Sequence, residues 1–138
     1  MGTTASFPVT SSSGTGDFTE STMLPTASTA ANYKPYCVIP VACEIISIRQ
    51  LHQTAGTNGS PVTMYVEKLT GTQIKGAGVT TMNGTFDLKG VADTVQVATL
   101  TDTAADKTLA AGDRLSLVTS GTLTSVVGVV VTVLLRPI

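Results

Sequence analysis

The sequence predicts an all-β protein, an antiparallel β-sandwich or barrel, and three observations support this. The chain has 138 residues, one domain's length, and its commonest residues are Thr (25) and Val (16), whose branched Cβ atoms suit pleated strands. Short stretches of alternating apolar and polar residues are separated by turns rich in Gly, Asn and Pro. An apolar period of 3.6 residues is not sustained, and the one helix candidate, 104–111, is short and precedes Gly112.

The predicted strands follow the order of the chain. An Asn-Gly turn, Asn58-Gly59, separates two of them and predicts a hairpin, and Asn83-Gly84 predicts a second hairpin tip. Pro40 interrupts the first strand, and the last strand is apolar throughout, as in a strand buried on both faces. Strands are predicted at 37–52, 62–68, 94–100, 114–119 and 126–135, and the second hairpin tip lies within 79–88.

Residues 1–33 differ from the rest of the chain. The first 30 residues contain 14 Ser or Thr, and the segment has Asp17 and Glu20 but no Lys or Arg. It lacks the apolar surface to fold alone. Two interpretations are open: a flexible terminus, or an arm that orders against a partner or against the chain's own sheet, which Phe7 and Phe18 favour. The predicted organisation is an extended arm, 1–33, and a β-sandwich domain, 34–138.

Charge and composition exclude several classes of function. A net charge of −1 and a pI near 5.6 argue against nucleic-acid binding, which needs a basic surface. One His and two Cys leave little material for a metal site. Residues 1–8 lack the basic and apolar regions of a signal peptide, and the apolar run 126–135 is too short to cross a membrane as a helix. We therefore expect no nucleic acid, membrane, metal or cofactor.

Residue patterns typical of catalysis are not found, so the protein is not expected to be an enzyme. His52 is the single imidazole, and its place beside Leu51 on a strand favours a surface or hydrogen-bonded sheet histidine over a catalytic base. Asp102, Asp106 and Asp113 match no calcium-loop spacing.

Cys37 and Cys43 would lie about 20 Å apart in an extended strand, too far for a disulfide. A sharp reversal at Pro40 would be needed to join them. Two free buried thiols are therefore expected, in keeping with synthesis in a reducing cytoplasm.

Since the sequence argues against catalysis, metal binding and nucleic-acid binding, we expect the protein to act through contacts of its surface with other proteins. The mean hydropathy of +0.31 and the charged fraction of 12% are unusual for a monomer. The strongest predicted strands, 37–48 and 126–135, carry apolar residues on both faces. One face packs on the core, and the apolar residues of the other face must be buried against something else. Burial between identical subunits would supply that cover, so we expect a homo-oligomer.

The C-terminal half resembles the closing strands of small jelly-roll proteins of tailed-phage virions, namely capsid decoration (cement) proteins and head fibres. The segment Leu109-Ala110-Ala111-Gly112-Asp113-Arg114-Leu115-Ser116-Leu117, with 121–124 and 129–138, carries the resemblance. Segments 41–48 and 62–68 are similar to the opening strands of such modules. The same Leu-x-x-Gly-Asp-x-Leu turn occurs in trimeric tumour-necrosis-factor-like jelly rolls. In it, Leu109 is expected to anchor the loop, Gly112-Asp113 to turn it, and Leu115 and Leu117 to enter the core.

This resemblance covers residues 37–138 and implies a jelly-roll-like antiparallel β-sandwich with an extended N-terminal arm. It implies a virion structural protein that decorates and stabilises a tailed-phage capsid as a homo-oligomer, a trimer. The expected partners are the protein itself and the major capsid protein, and the expected place is the capsid exterior, after synthesis in the host cytoplasm. The candidate assembly residues are Phe7, Val9, Phe18, Val129, Val131 and Val133.

One alternative is a phage tail or fibre module that binds a host glycan or receptor. Such sites usually present aromatic rings on which sugars stack. The chain has no Trp, and its tyrosines are Tyr33, Tyr36 and Tyr65, so the sequence favours capsid decoration.

Overall fold

A computed structural model of the chain describes residues 16–24 and 35–138. Nearly all regular structure in these ranges is β, and the helical residues are the single 3-10 turn Ala104–Lys107. The strands are β1 (Phe18–Met23), β2 (Pro35–Val38), β3 (Cys43–Leu51), β4 (Thr63–Leu69), β5 (Val79–Thr80), β6 (Met82–Asn83), β7 (Phe86–Asp87), β8 (Gln96–Val97), β9 (Thr99–Leu100), β10 (Thr108–Leu109), β11 (Arg114–Ser120) and β12 (Val130–Pro137).

The strands pair in the order of a jelly roll. Antiparallel pairs form between β1 and β12, β2 and β11, β3 and β10, and β4 and β5, as in one long ribbon rolled upon itself. The first sheet has the order β1-β12-β3-β10, with β8 also on β3, and the second has the order β2-β11-β4-β5, with β7 also on β4. Strands β6 and β9 pair with each other in a separate two-stranded sheet. The predicted fold class, an all-β jelly-roll-like antiparallel sandwich, is confirmed.

The hydrophobic core lies between the inner faces of the two sheets. Alternate side chains of β12 and β4 point inward, and burial of each large apolar group stabilises the fold by about 1.5–3 kcal/mol. The first sheet contributes Ile45, Ile48, Val131, Val133 and Leu135, all buried. The second contributes Met64, Val66, Leu115 and Leu117.

A β-bulge in β3 lets two isoleucines three positions apart face the same core. Leu134 pairs with Ser47 but Leu135 pairs with Ile45, so Ile46 has no partner on β12. The extra residue shifts the alternation, and Ile45 and Ile48 are therefore both buried.

Both predicted Asn-Gly hairpins are wrong. The strands on either side of Asn58-Gly59 lie in different sheets, β3 in the first and β4 in the second. Gly59 is not among the glycines with positive φ, which a two-residue type I′ turn would require. Gly84 does have a positive φ of 83°, but its neighbours β6 and β7 pair with β9 and β4 and not with each other. The hairpin partner of β4 is β5, joined through residues 70–78.

The last strand is also not buried on both faces as predicted. In β12 the inward residues Val131, Val133 and Leu135 are fully buried, whereas Val130 and Leu134 on the outer face are partly exposed. The outward side chains of β12 are thus only partly covered within the chain.

The turn at Gly112-Asp113 has the predicted form and carries the chain from the first sheet to the second. Gly112 has a φ of +92°, and the Asp113 carboxylate accepts the backbone N–H of Ala110 at 2.8 Å. Leu109 before the turn and Leu115 after it are buried, so the turn is held by apolar anchors on both sides.

Candidate functional site

The single histidine is a structural residue of the sheet end. His52 is fully buried; its Nδ1 lies 2.9 Å from Gln50 Oε1 and its Nε2 lies 2.9 Å from the carbonyl oxygen of Gly90. The prediction of a hydrogen-bonded sheet histidine is confirmed, and the ring ties the end of β3 to the loop that follows β7.

Two of the acidic residues that the sequence analysis considered for calcium make separate hydrogen bonds within the chain. Asp102 accepts a hydrogen bond from the side-chain amide of Asn83 at 3.2 Å, and Asp113 caps its own turn at Ala110. Within residues 16–24 and 35–138, no three His, Cys, Asp or Glu side chains converge as a metal site would require. Over the same ranges, no helix has the length and apolar character needed to span a bilayer.

The two cysteines are free thiols, as predicted. Cys43 is buried and Cys37 is half-buried. Burial, assisted by the nearby Glu20 carboxylate, raises the pKa of Cys37 to about 11, although a backbone hydrogen bond at Leu115 acts in the opposite direction. Burial likewise raises the pKa of Cys43. Both thiols are therefore protonated and weakly nucleophilic at neutral pH.

The candidate assembly residues of the last strand do not reach the surface. Val129, Val131 and Val133 are buried in the chain's own core, because they point to the inner side of the first sheet. Side chains that their own core covers have no apolar area left to bury against another subunit. The outward residues of β12 are Val130, Thr132 and Leu134.

Of the three candidate assembly residues of the arm, only Phe18 lies within the described residues. Phe7 and Val9 lie outside the described residues. Phe18 begins β1, pairs opposite Leu135 and packs half-buried against the core. Residues 18–23, which the sequence analysis placed in the arm, are thus ordered against the chain's own sheet as its edge strand.

Three charged side chains near one end of the second sheet hold loops through backbone groups, and sequence reasoning did not identify them. The fully buried carboxylate of Glu67 accepts the N–H of Gly76 at 2.6 Å and that of Gly78 at 3.2 Å. Lys68 and Arg114 instead donate to backbone carbonyls, those of Ala105 and Thr108, and of Gly71 and Gln73, respectively. A Glu-Lys pair ending a strand just before a Gly-rich loop was the available signal.

These loops lie at one end of the sandwich, here called the base. Strands β1, β3 and β11 begin there, and β2, β4 and β12 end there. The register fixes this arrangement, because Arg114 lies opposite both Val38 and Leu69, and Pro137 lies opposite Cys43. Residues 39–42 connect the two sheets at the base.

Exposed apolar side chains gather at the base and at the opposite end. The described residues include ten large apolar side chains that are exposed. Those at the base are Val38, Val41, Ile74, Val79 and Ile138. Those toward the opposite end are Met23, Val91, Val95, Val97 and Val127. A compact protein that leaves two such groups open has two candidate contact surfaces.

A shallow groove follows the outer face of the first sheet near the end opposite the base. It has a volume of about 320 Å³. Its lining residues are Arg49, Gln50, Leu51, Val95, Val130 and Thr132. None of these is aromatic, and the described Phe and Tyr side chains are buried or half-buried. The groove therefore lacks the stacking surface typical of sugar sites.

Comparisons with known proteins add no family to these observations. The chain has no match among protein-family models, curated proteins or solved structures. Functional inference therefore depends on the fold and on its exposed surfaces.

Proposed function

We propose that the protein is a virion structural protein that decorates and stabilises a tailed-phage capsid from its exterior, as a homotrimer bound to the major capsid protein. The observation that carries this proposal is the presence of two separate exposed apolar surfaces at opposite ends of a jelly-roll-like sandwich with 12% charged residues. Two surfaces suit a protein that contacts both sister subunits and a shell. The resemblance of the Leu109–Leu117 turn region to phage jelly rolls agrees with it.

The mechanism is binding without chemistry. A decorator that binds the assembled shell but not the free shell subunit stabilises the shell by mass action. Three linked subunits contact the shell together, so each weak contact acts at high effective concentration and the trimer stays bound. A preformed sandwich loses little conformational freedom when it binds, which favours affinity.

Two measurements test the proposal. Light scattering on the purified protein at micromolar concentration is expected to give the mass of an oligomer, and a stable monomer would overturn the homotrimer. A cryo-EM map of the source virion is expected to place the chain at local symmetry axes of the shell. Density on the tail alone, together with binding of the isolated protein to host cells or to a glycan array, would replace decoration by the fibre-module alternative.

A further inference from the structure

We infer that the protein seats on the shell through its base, and that the surface it meets there is an apolar, weakly charged face of a shell protein. This inference rests on the proposed function and names its contact surface. The contact surface, called the base patch below, consists of Val38, Val41 and Ile138 together with the exposed Pro40, Ala42, Ala110 and Ala111.

The base patch is continuous because three segments of the chain meet there. The Ile39 N–H donates to the Asp113 carbonyl at 2.7 Å, and the Gly112 N–H donates back to the Ile39 carbonyl at 2.8 Å. The Ile138 N–H donates to the Ala42 carbonyl at 3.1 Å. These bonds hold the loop 39–42, the turn 110–113 and the end of β12 side by side.

A buried side chain beneath the base patch also fixes its position. Ile39, between the exposed Val38 and Val41, is itself fully buried and anchors the loop to the core. A surface that is fixed by a buried anchor and by backbone hydrogen bonds is preformed, so little ordering accompanies its burial against a partner.

Four charged side chains near the base patch are engaged within the chain. Asp17 and Arg136 form an ion pair at 3.0 Å, and the Asp113 carboxylate accepts a hydrogen bond from its own turn. The Arg114 guanidinium, opposite Val38, donates to two backbone carbonyls of the loop 70–78. The base patch itself contains no charged side chain, so an apolar protein surface fits it better than a nucleic acid or an acidic lipid.

The chain outside the described residues supports a large partner at this end. Residues 1–15 join the described structure at Gly16, beside the Arg136 end of β12, and contain no charged residue. Fifteen extended residues span at most about 50 Å. Fifteen residues are long enough to contact a surface broader than the base patch, which suits a shell more than a second copy of this small sandwich.

The experiment compares two double variants on capsids that were purified from a virus lacking this gene. The test variant carries Val38→Glu and Val41→Glu, at residues that are 63% and 45% exposed. The matched control carries Thr85→Glu and Thr99→Glu, at exposed residues that belong to neither group of exposed apolar side chains. Circular dichroism melting verifies that both variants fold, and light scattering gives their mass.

The test variant is expected to keep the wild-type mass and to bind capsids at least about a hundredfold more weakly, since two unpaired carboxylates would be buried in the contact. The control variant is expected to bind more tightly than the test variant. Three results would overturn the inference: wild-type binding by the test variant, an equal loss in the control, or a fall in mass of the test variant, which would assign the base patch to contacts between copies. Failure of the wild-type protein to bind capsids would instead overturn the proposed function.

Discussion

The guanidinium of Arg136 donates two hydrogen bonds of 3.0 Å to the two carboxylate oxygens of Asp17, and so fastens the start of β1 to the end of β12. The Asp17 side chain is only 12% exposed, and the pair raises the pKa of Arg136 above its ordinary value. Because β1 has one neighbour among the described strands, this bidentate contact secures the edge at the point where residues 1–15 join the sandwich.

Replacing Asp17 by Asn is expected to loosen β1 without unfolding the protein. The amide cannot form a charge-assisted bidentate pair, so the edge strand opens more often. Amide hydrogen exchange of residues 18–23 should become about twofold to fivefold faster, a size typical of a single partly exposed ion pair. Asp102→Asn, remote from β1, serves as the control and should leave this exchange unchanged. Equal exchange in wild type and Asp17→Asn would mean that backbone pairing with β12 alone holds the edge.

The buried carboxylate of Glu67 is expected to be one of the costliest side chains to remove. Glu67→Ala leaves the N–H groups of Gly76 and Gly78 without their acceptor and opens a cavity, so the free energy of unfolding should fall by about 2–4 kcal/mol. Glu67→Gln keeps one carbonyl acceptor and should lose less, about 1–2 kcal/mol. Urea denaturation followed by circular dichroism measures both. A loss below about 0.5 kcal/mol in the alanine variant would show that water replaces the carboxylate without cost.

The sequence supported a good prediction of the fold class because β-branched composition and apolar alternation are local signals. The alternation of Val62, Met64 and Val66 correctly marked one face of a strand, of which Met64 and Val66 lie in β4, and Leu109, Leu115 and Leu117 were correctly placed in the core. The partner of each strand could not be predicted in this way, because pairing in a jelly roll joins residues far apart in the chain.

The same limit applies to the candidate assembly residues. An apolar run such as 126–135 does not reveal which of its residues face the core, and the residues chosen for assembly, Val129, Val131 and Val133, proved to be the inward ones. The role of Glu67 was also missed, because the loop amides that it binds lie nine and eleven positions away in the chain. The base patch unites exposed residues of the segments 38–42 and 110–111 with Ile138, which only the rolled topology brings together.

Two glycines test the corrected connection between β3 and β4. Gly59 has no neighbour within 4 Å of an added Cβ and has no positive φ, so Gly59→Ala should change the melting temperature by less than about 2 °C or raise it slightly. Gly121 has a φ of +88°, and a Cβ there would overlap the carbonyl oxygen of Pro61. Gly121→Ala should therefore lower the melting temperature by about 4–10 °C. A large fall in the melting temperature of Gly59→Ala would instead support the Asn58-Gly59 hairpin that the sequence predicted.

Alkaline pH is expected to destabilise the protein through its half-buried and buried thiols. Burial raises the pKa of Cys37 from 9.0 to about 11. A group whose pKa is higher in the folded state keeps its proton more tightly when folded. Its contribution to stability is therefore complete below about pH 9 and is lost as pH rises from 9 to 11. Burial also raises the pKa of Cys43 and Tyr36, which adds to the loss in the same direction.

Alkylation by iodoacetamide isolates the contribution of Cys37, since only the thiolate reacts. In a Cys43→Ala variant, Cys37 is the one remaining thiol, and its alkylation rate should reach half its maximum well above pH 9.0 in the folded chain, because burial, the largest cause of the raised pKa, remains. When the same variant is unfolded in urea, its alkylation rate should reach half its maximum near pH 9.0, the ordinary pKa of a cysteine thiol. Coincident midpoints would mean that the folded chain leaves Cys37 in water, in conflict with the position of β2 beside β11. Because Glu20 also raises this pKa, Glu20→Gln should lower the folded midpoint while Asp102→Asn should not, which ties the thiol to the edge strand that Asp17 secures.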